Sequence, residues 1–256
     1  NDNIKPFEIP FKKTIDKILT LRRQKVILLV SGDPFWYGAG KMISNSLKDN
    51  EWVSYPVPST FSLIASKLGW PIEQIFCIGL HAKSFKSTRH LLHEKAKFII
   101  LLKNGNQVLQ FSKWLSLEGF GKSQIFIIES IGFKNERIRE TLAEKLNFSN
   151  IRHPVSIAVE VKGKGFVFPS STGKDDFIFE NDGQISNKQI RAITLSSLSP
   201  RPGQHLWDIG SGSGSISIEW LLINNLNYAT AIEIKKSRAL HIKNTAYKLG
   251  LEKLNV

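Results

Sequence analysis

Short apolar runs of strand length alternate with polar turns along the first two thirds of the chain. We predict strands at residues 25–31, 75–80, 97–102, 124–129 and 155–161. Between them, apolar residues recur at helical spacing, which predicts helices near residues 42–47, 60–68, 88–93, 107–117 and 136–146. This alternation indicates an α/β fold whose sheet need not be entirely parallel.

Residues 163–183 differ from this pattern because they are rich in Gly, Ser, Asp and Lys. We place a domain boundary inside this segment and predict two domains, residues 1–168 and 169–256. The second domain reads as a helix ending before Pro200, a strand near 205–209, a helix, a strand at 228–233 and a helix at 236–249 capped by Gly250. A doubly wound sheet has about five or more strands, so we expect this domain to be incomplete.

The pattern Asp208-x-Gly210-x-Gly212-x-Gly214 follows the first strand of the second domain. Glycine permits positive φ and lets a ligand approach the backbone, and the N–H groups of the helix that follows face the same space. Asp208 lies at the carboxyl end of its strand, and Glu233 ends the next strand, where an acid can accept hydrogen bonds from ribose hydroxyls. A tight turn without a ligand is the alternative interpretation.

A second turn with candidate chemistry follows the predicted strand at residues 25–31. Gly32-Asp33-Pro34 forces a turn, and Gly38 and Gly40 permit a close approach of the chain to a ligand. The helix near residues 60–68 begins after Ser59, so that Ser59 or Thr60 can either cap the helix or contact a ligand. Without further context, a turn and a helix cap explain these residues better than a binding site does.

Composition narrows the class of protein. The 256 residues carry a formal net charge of +13, and the sequence pI is near 9.8. The charge leaves three interpretations open: a nucleic-acid partner, a polyanionic small substrate, or a genomic bias toward Lys, Asn and Ile. The single cysteine, Cys77, excludes an internal disulfide and favours a reducing, cytoplasmic location. No apolar run is long enough to suggest membrane association.

Four motifs of the first domain occur in a familiar order: SGDPFWYGAG, VPSTFSLIASKLGWP, IGLHAK and ESIG. Together they resemble the tetrapyrrole (corrin and porphyrin) methylases. The second half, with LWDIGSGSGSISIEW, resembles a Rossmann-like class I S-adenosylmethionine methyltransferase domain. The two in this order resemble the precorrin-6Y methyltransferase family of cobalamin synthesis. The resemblance implies methylation of two ring carbons and decarboxylation of an acetate side chain.

The resemblance also implies where S-adenosylmethionine is held as the methyl donor. In the first domain the implied residues are Gly32, Asp33, Pro34 and Thr60. In the second domain they are Asp208, Gly210, Gly212, Gly214 and Glu233. The implied partner is a small polycarboxylate tetrapyrrole, with neither nucleic acid nor a membrane, and a homo-oligomer is left open.

The chain departs from this family in ways that affect the expected activity. The strand and glycine-rich loop that open the first domain are missing, as are several strands after Val256, so we expect a fragment that is incomplete for catalysis. His81-Ala82-Lys83 stands where the family commonly has His-Gly-Arg. His81 is our candidate for the catalytic base of the first domain, although a packed or surface histidine is the commoner explanation of such a residue.

No metal is expected, because His90 and His93 lack a third ligand of suitable spacing. Two alternatives to the precorrin reading stay open at this point. One is a methyltransferase acting on another substrate such as RNA, and the other is a non-catalytic fragment.

Overall fold

A computed structural model describes residues 4–81 and 83–256, which form two β-sheets flanked by helices. The α-helices are α1 (Phe11–Thr20), α2 (Gly40–Ser44), α3 (Thr60–Leu68), α4 (Gly105–Leu115), α5 (Lys188–Leu198), α6 (Ser215–Ile223) and α7 (Lys236–Leu249). The strands are β1 (Ile75–Gly79), β2 (Lys97–Leu102), β3 (Gln124–Glu129), β4 (Arg137–Leu142), β5 (Val155–Glu160), β6 (His205–Ile209), β7 (Tyr228–Ile232) and β8 (Leu254–Asn255). The α/β class is confirmed.

The first sheet has the order β1-β2-β5-β3-β4 and is mixed. Strands β1 and β2 are parallel, and β5 runs antiparallel to β2 on one side and to β3 on the other. In this register Val155 lies opposite Leu102 and also opposite Glu129. The carboxyl ends of β2 and β3 therefore meet the beginning of β5 at one edge of the sheet, which is where the first site lies.

Both faces of the central strands β2, β3 and β5 are mostly buried, which is why these strands read as apolar runs. Ile100 and Ile157 pack toward α4 in a cluster that includes Phe111. The neighbouring residues in each strand point to the opposite face of the sheet. A second cluster on that face contains Ile99 of β2 and Phe61 of α3. The period-two alternation of strand side chains thus places one helix on each side of the sheet.

The predicted strand at residues 25–31 is wrong. This segment has no strand structure and pairs with none of the described strands. Ile27 and Leu29 are 75% and 80% exposed. An apolar run favours a strand only when a neighbouring strand offers a free edge for hydrogen bonding, and the outer edge of β1 is not used in this way.

The predicted helix at residues 136–146 is also wrong, because residues 137–142 form β4. Ile138, Leu142 and Leu146 fit a helical spacing, which led to the prediction. The side chains follow instead the period of two that is typical of a strand. Arg137 and Arg139 share one face of β4, and both pair with Glu129 on the adjacent strand β3. A local periodicity argument does not detect this ion pairing between neighbouring strands.

Other elements match the prediction closely. β2 and β3 have the predicted bounds, α3 covers residues 60–68, and α7 ends at Gly250 in the left-handed conformation. The predicted helix near 88–93 is a 3-10 helix at Phe85–Leu91. Helix α1 was not predicted, since residues 1–20 read as polar.

Amide hydrogen exchange distinguishes the segment at residues 25–31 from a true strand. We expect fast exchange at Val26–Val30, because the segment lacks strand partners, and slow exchange at Ile157, whose strand has neighbours on both sides. Mass spectrometry of peptic peptides after deuterium labelling measures both. Equal protection of the two segments would contradict the assignment of residues 25–31 as unpaired.

The second sheet has the order β6-β7-β8, and its strands are parallel. Trp220 and Leu221 of α6 pack with Leu195 of α5 to form its core. Glu219, buried on α6, accepts hydrogen bonds from the backbone of residues 173 and 174 at 2.7 and 3.0 Å and from Arg191 Nε at 3.0 Å. Arg191 is itself fully buried. This ion pair fixes the segment around residue 173 and α5 against α6.

The two sheet-forming units touch where α7 ends. The Lys86 ammonium lies 3.4 Å from the centre of the Tyr247 ring. A Cβ atom on Gly250 would come within 2.2 Å of Ser87 N, so the backbones approach as closely as only glycine permits. The predicted boundary at residues 168 and 169 itself stays a prediction.

Within residues 4–81 and 83–256, none of the helices combines the length and the apolar character needed to cross a bilayer.

Candidate functional site

A cavity of about 410 Å³ lies at the edge of the first sheet where β2 and β3 end and β5 begins. Leu102, Ile128 and Val155 of these strands form its floor. The turn at residues 31–40 and the beginning of α3 form its walls. The site thus sits at carboxyl ends of strands, the usual position for ligands in open α/β sheets.

Gly32 brings two of the sequence motifs together at this cavity. Its φ is +66°, and a Cβ atom placed on it would lie 3.4 Å from Ser59 Cα and 3.5 Å from Thr60 N. Ser59 Oγ accepts a hydrogen bond from Ser62 N at 3.1 Å and so caps α3. Thr60, the first residue of the helix, lines the cavity with Gly32. Ser59 is therefore the capping residue, and Thr60 is available to a ligand.

The residues around Pro34 have a different role from the one expected. Asp33 lines the cavity, and its Oδ1 accepts a hydrogen bond from Phe35 N at 2.7 Å. Pro34 does not belong to the cavity lining. A Cβ atom on Gly38 or Gly40 would lie 2.5 Å from the Pro34 carbonyl oxygen. Both glycines leave room for the Pro34 carbonyl group, and Gly38 also lines the cavity.

Two histidines line the cavity, one of which sequence reasoning missed. His81 was the candidate base, and His153 lies in the loop that precedes β5. Burial lowers the pKa of His81, and the positive charge of His153 lowers it further. The His81 imidazole is therefore neutral at neutral pH, the form that accepts a proton. Nothing local in the sequence marks His153, because only the pairing of β5 with β2 and β3 brings it here.

The glycine loop of the second unit presents an open backbone surface. Gly210, Gly212 and Gly214 have φ values of +75°, +58° and +69°. Nothing lies within 4 Å of a Cβ atom placed on Gly210 or Gly212, whereas one on Gly214 would meet Ile242 at 2.8 Å. The first two glycines thus leave space for a ligand, and the third allows α6 and α7 to pack closely.

The two acids of this loop are held in place by hydrogen bonds. Asp208 Oδ2 accepts from Ser217 Oγ at 2.7 Å. Glu233 Oε2 accepts from Gly212 N at 2.8 Å, and its Oε1 accepts from Lys235 N at 2.9 Å. The bond from Lys235 N is the main cause of a lowered pKa for Glu233, and the bond from Gly212 N adds to it against a smaller opposing effect of burial. Glu233 is therefore ionised at neutral pH and acts as an acceptor.

In the described part of the chain, no three His, Cys, Asp or Glu side chains are arranged to hold a metal ion. Ala82, in the motif that departs from the family pattern, lies outside the described residues. The arrangement therefore offers two sites: a cavity with a neutral histidine at the first sheet, and a glycine loop with an ionised acid at the second.

Two family models match separate parts of the chain. Residues 5–147 match the family model for tetrapyrrole (corrin/porphyrin) methylases, and residues 177–256 match that for a precorrin methyltransferase domain. The solved structure of the methyltransferase CobJ is similar over 61% of this chain and 73% of its own, with a TM-score of 0.50 and 14% identity. At that identity the similarity establishes the fold alone.

Two curated relatives are similar in sequence, and both are called precorrin-6Y C(5,15)-methyltransferase (decarboxylating). The protein from a Sinorhizobium species is 35% identical over 96% of this chain, and the one from Mycobacterium tuberculosis is 27% identical over 75% of it. The chain spans 60% and 48% of the lengths of these relatives.

Proposed function

We propose that this chain, which belongs to the tetrapyrrole (corrin and porphyrin) methylase family, takes part in S-adenosylmethionine-dependent methylation of a precorrin at two ring carbons, with decarboxylation of an acetate side chain, in cobalamin biosynthesis. The observation that carries the proposal is the presence of two separate candidate sites, one at each sheet, in a single chain. The names of the two curated relatives support the same activity.

The first cavity fits the methyl donor. When bound, S-adenosylmethionine supplies an electrophilic methyl group attached to a positively charged sulfur. Gly32, Asp33 and Thr60 would hold it, with the Asp33 carboxylate accepting hydrogen bonds from its hydroxyl or ammonium groups. Trp36 and Phe61, whose ring centres are 4.8 Å apart, give the cavity an aromatic wall suited to a purine. Pro34 would act by shaping the turn.

The second loop fits a second molecule of the same donor. Gly210 and Gly212 leave open space above the backbone, and ionised Glu233 can accept hydrogen bonds from ribose hydroxyls. Asp208, fixed by Ser217, lies beside them at the carboxyl end of β6. In this proposal Gly214 contributes to packing and not to direct contact with the ligand.

The protein's contribution to the chemistry is mainly positioning. Holding the two reactants in line converts a bimolecular step into an effectively unimolecular one, worth up to about 7–11 kcal/mol in ideal cases. Neutral His81, which lines the cavity, can accept the proton that the methylated carbon releases.

The charge around the first cavity fits a polycarboxylate substrate. Three exposed cations are adjacent in sequence to residues that line the cavity, namely Lys103, Lys134 and Arg152, and exposed Lys83 lies two residues after His81. In this proposal they give the net charge of +13 a local role, because cations near the cavity would attract carboxylate side chains. The proposal places the enzyme in a reducing cytoplasm, in agreement with Cys77 as a free thiol.

Binding of uroporphyrin, a polycarboxylate tetrapyrrole, tests the substrate class. We expect the chain to bind it, and we expect binding to weaken with added salt because screening reduces the attraction. Reversing two charges at the cavity, Lys103→Glu with Lys134→Glu, should weaken binding roughly tenfold. Fluorescence quenching of the porphyrin measures the affinity.

The matched control is Lys243→Glu, which reverses an exposed charge on α7 and should leave the affinity unchanged. Isothermal titration with S-adenosylhomocysteine, the demethylated product of the donor, tests the two cofactor sites on the same sample. No binding of uroporphyrin, together with tight and steeply salt-dependent binding of RNA, would contradict the proposal.

A further inference from the structure

Glu129, the last residue of β3, is a buried acid that neither site uses directly. Its side chain has no exposed surface. Arg137 Nε and Nη2 each donate to one of its oxygens at 2.7 Å, and Arg139 Nη2 lies 3.1 Å away. Arg152 N donates to Glu129 Oε1 at 2.6 Å. A single carboxylate thus gathers two guanidinium groups and one backbone N–H.

Three hydrogen bonds attach the loop at residues 150–154 to the β3–β4 hairpin, and the first two come from this cluster. Arg137 Nη2 donates to Asn150 O at 2.9 Å, and Glu129 accepts from Arg152 N. Beyond them, Ser130 N donates to Pro154 O at 2.9 Å. The second and third attachments enclose one residue between them, His153. The backbone on both sides of His153 is therefore fixed, and its side chain lines the cavity together with His81.

The stability of the fold does not by itself explain why the ionised Glu129 carboxylate is buried. Taking charges out of water is costly, and an apolar replacement of a buried ion pair is often as stable or more so. Burial raises the pKa of Glu129, but the hydrogen bonds from Arg137 and Arg152 N, with the charges of Arg139 and Arg137, outweigh it and lower the pKa overall. An apolar side chain in place of Glu129 could not supply the hydrogen-bond acceptors that hold this loop.

We propose that Glu129 is a positioning residue of the first site, which together with Arg137 fixes the 150–154 loop so that His153 joins His81 as the pair of imidazoles that receives the proton released on methylation. This inference rests on the proposed function. In the step, a C–C bond forms to the transferred methyl, the S–C bond breaks with its electron pair left on sulfur, and the C–H proton of the methylated carbon passes to a neutral imidazole.

The surroundings of the pair suit this role. The other titratable side chains lining the cavity are Asp33 and Tyr37, and the exposed cations Lys83 and Arg152 stand beside the two histidines in the sequence. A proton on one imidazole disfavours a proton on the other, because two like charges repel each other.

Imidazole NMR titration of the full chain tests this without requiring turnover. Removing the charge of His153 in His153→Gln should raise the pKa of His81, because a nearby positive charge disfavours protonation. Glu129→Gln should raise it as well, because the loop is released and His153 leaves the cavity. In the double variant the pKa of His81 should equal that of His153→Gln alone, since Glu129 acts only through His153.

Two further variants keep the test decisive. Arg137→Gln removes the bond to Asn150 O from a partly exposed position and should reproduce the effect if Glu129→Gln does not fold. Glu140→Gln, an exposed neutral replacement on the same hairpin, should leave the pKa of His81 unchanged. A His81 pKa that responds to His153→Gln but to neither Glu129→Gln nor Arg137→Gln would overturn the inference.

Binding of S-adenosylhomocysteine to the same variants separates this inference from the proposed function. Retained binding with no change in the His81 titration overturns the positioning role and leaves the proposed function standing. Absence of binding in the unmodified chain contradicts the proposed function, whatever the imidazole titrations give.

Discussion

Replacing Gly212 by tryptophan is expected to abolish one of two S-adenosylhomocysteine binding events and to leave the other intact. Nothing lies within 4 Å of a Cβ atom at Gly212, so the side chain meets no steric clash there, although its φ of +58° adds backbone strain. The indole occupies the space above the loop. We expect the affinity of this site to fall at least about 100-fold, or about 2.7 kcal/mol. Isothermal titration of both proteins measures the stoichiometry and the affinity of each site.

Gly203→Trp is the matched control for backbone strain. Gly203 has a φ of +83° against +58° at Gly212, and it too has nothing within 4 Å of an added Cβ. It precedes β6, at the opposite end of the strand from the loop. The Gly203 variant should bind as the unmodified chain does. An unchanged two-site isotherm for Gly212→Trp would exclude the loop as a cofactor site.

Glu219→Gln is expected to destabilise the second unit by about 3–5 kcal/mol. The substitution removes the negative charge that Arg191 faces at the centre of the unit, where both side chains are buried. It also turns an NH₂ group toward donors, since Gly173 N, Lys174 N and Arg191 Nε all require an acceptor. Urea unfolding followed by tryptophan fluorescence measures the loss, because Trp220 lies in the adjoining core.

The control for this substitution is Glu252→Gln, the same chemical change at an exposed position after α7. Its effect should lie within about 0.5 kcal/mol of zero. A loss of less than about 1 kcal/mol for Glu219→Gln would mean that the buried pair does not hold α5 to α6.

Local sequence patterns correctly predicted those elements that are stabilised by residues close to them in the sequence. Helix α3 has its N-cap at Ser59 and its left-handed cap at Gly69, and both signals are adjacent to the helix in sequence. Residues 25–31 and 137–142 were predicted incorrectly for the opposite reason. Whether they form strands is decided by distant partners: β3 is available to residues 137–142, and no described strand pairs with residues 25–31.

The residues of the candidate sites divide in the same way, into those with a local sequence signal and those without one. Gly32, Thr60 and His81 could be named from sequence because each belongs to a motif, and the structure places all three at one cavity. His153 could not, because it lies in a loop without a motif and reaches the cavity only through the register of β5. The role of Glu129 was equally hidden, since the ESIG motif indicates a conspicuous acid but not the three loop contacts around it.

The close approach of Gly250 to Ser87 has a consequence for engineering the two units as separate products. Any cut between them would uncover the bare backbone at the end of α7 and the face of the Tyr247 ring on which Lys86 now lies. On the other product, the 3-10 helix at residues 85–91, which follows His81 closely in the chain, would lose its support. Expressing the first unit alone therefore calls for a new contact that supports this 3-10 helix, whereas Tyr247 is already 70% exposed in the intact chain.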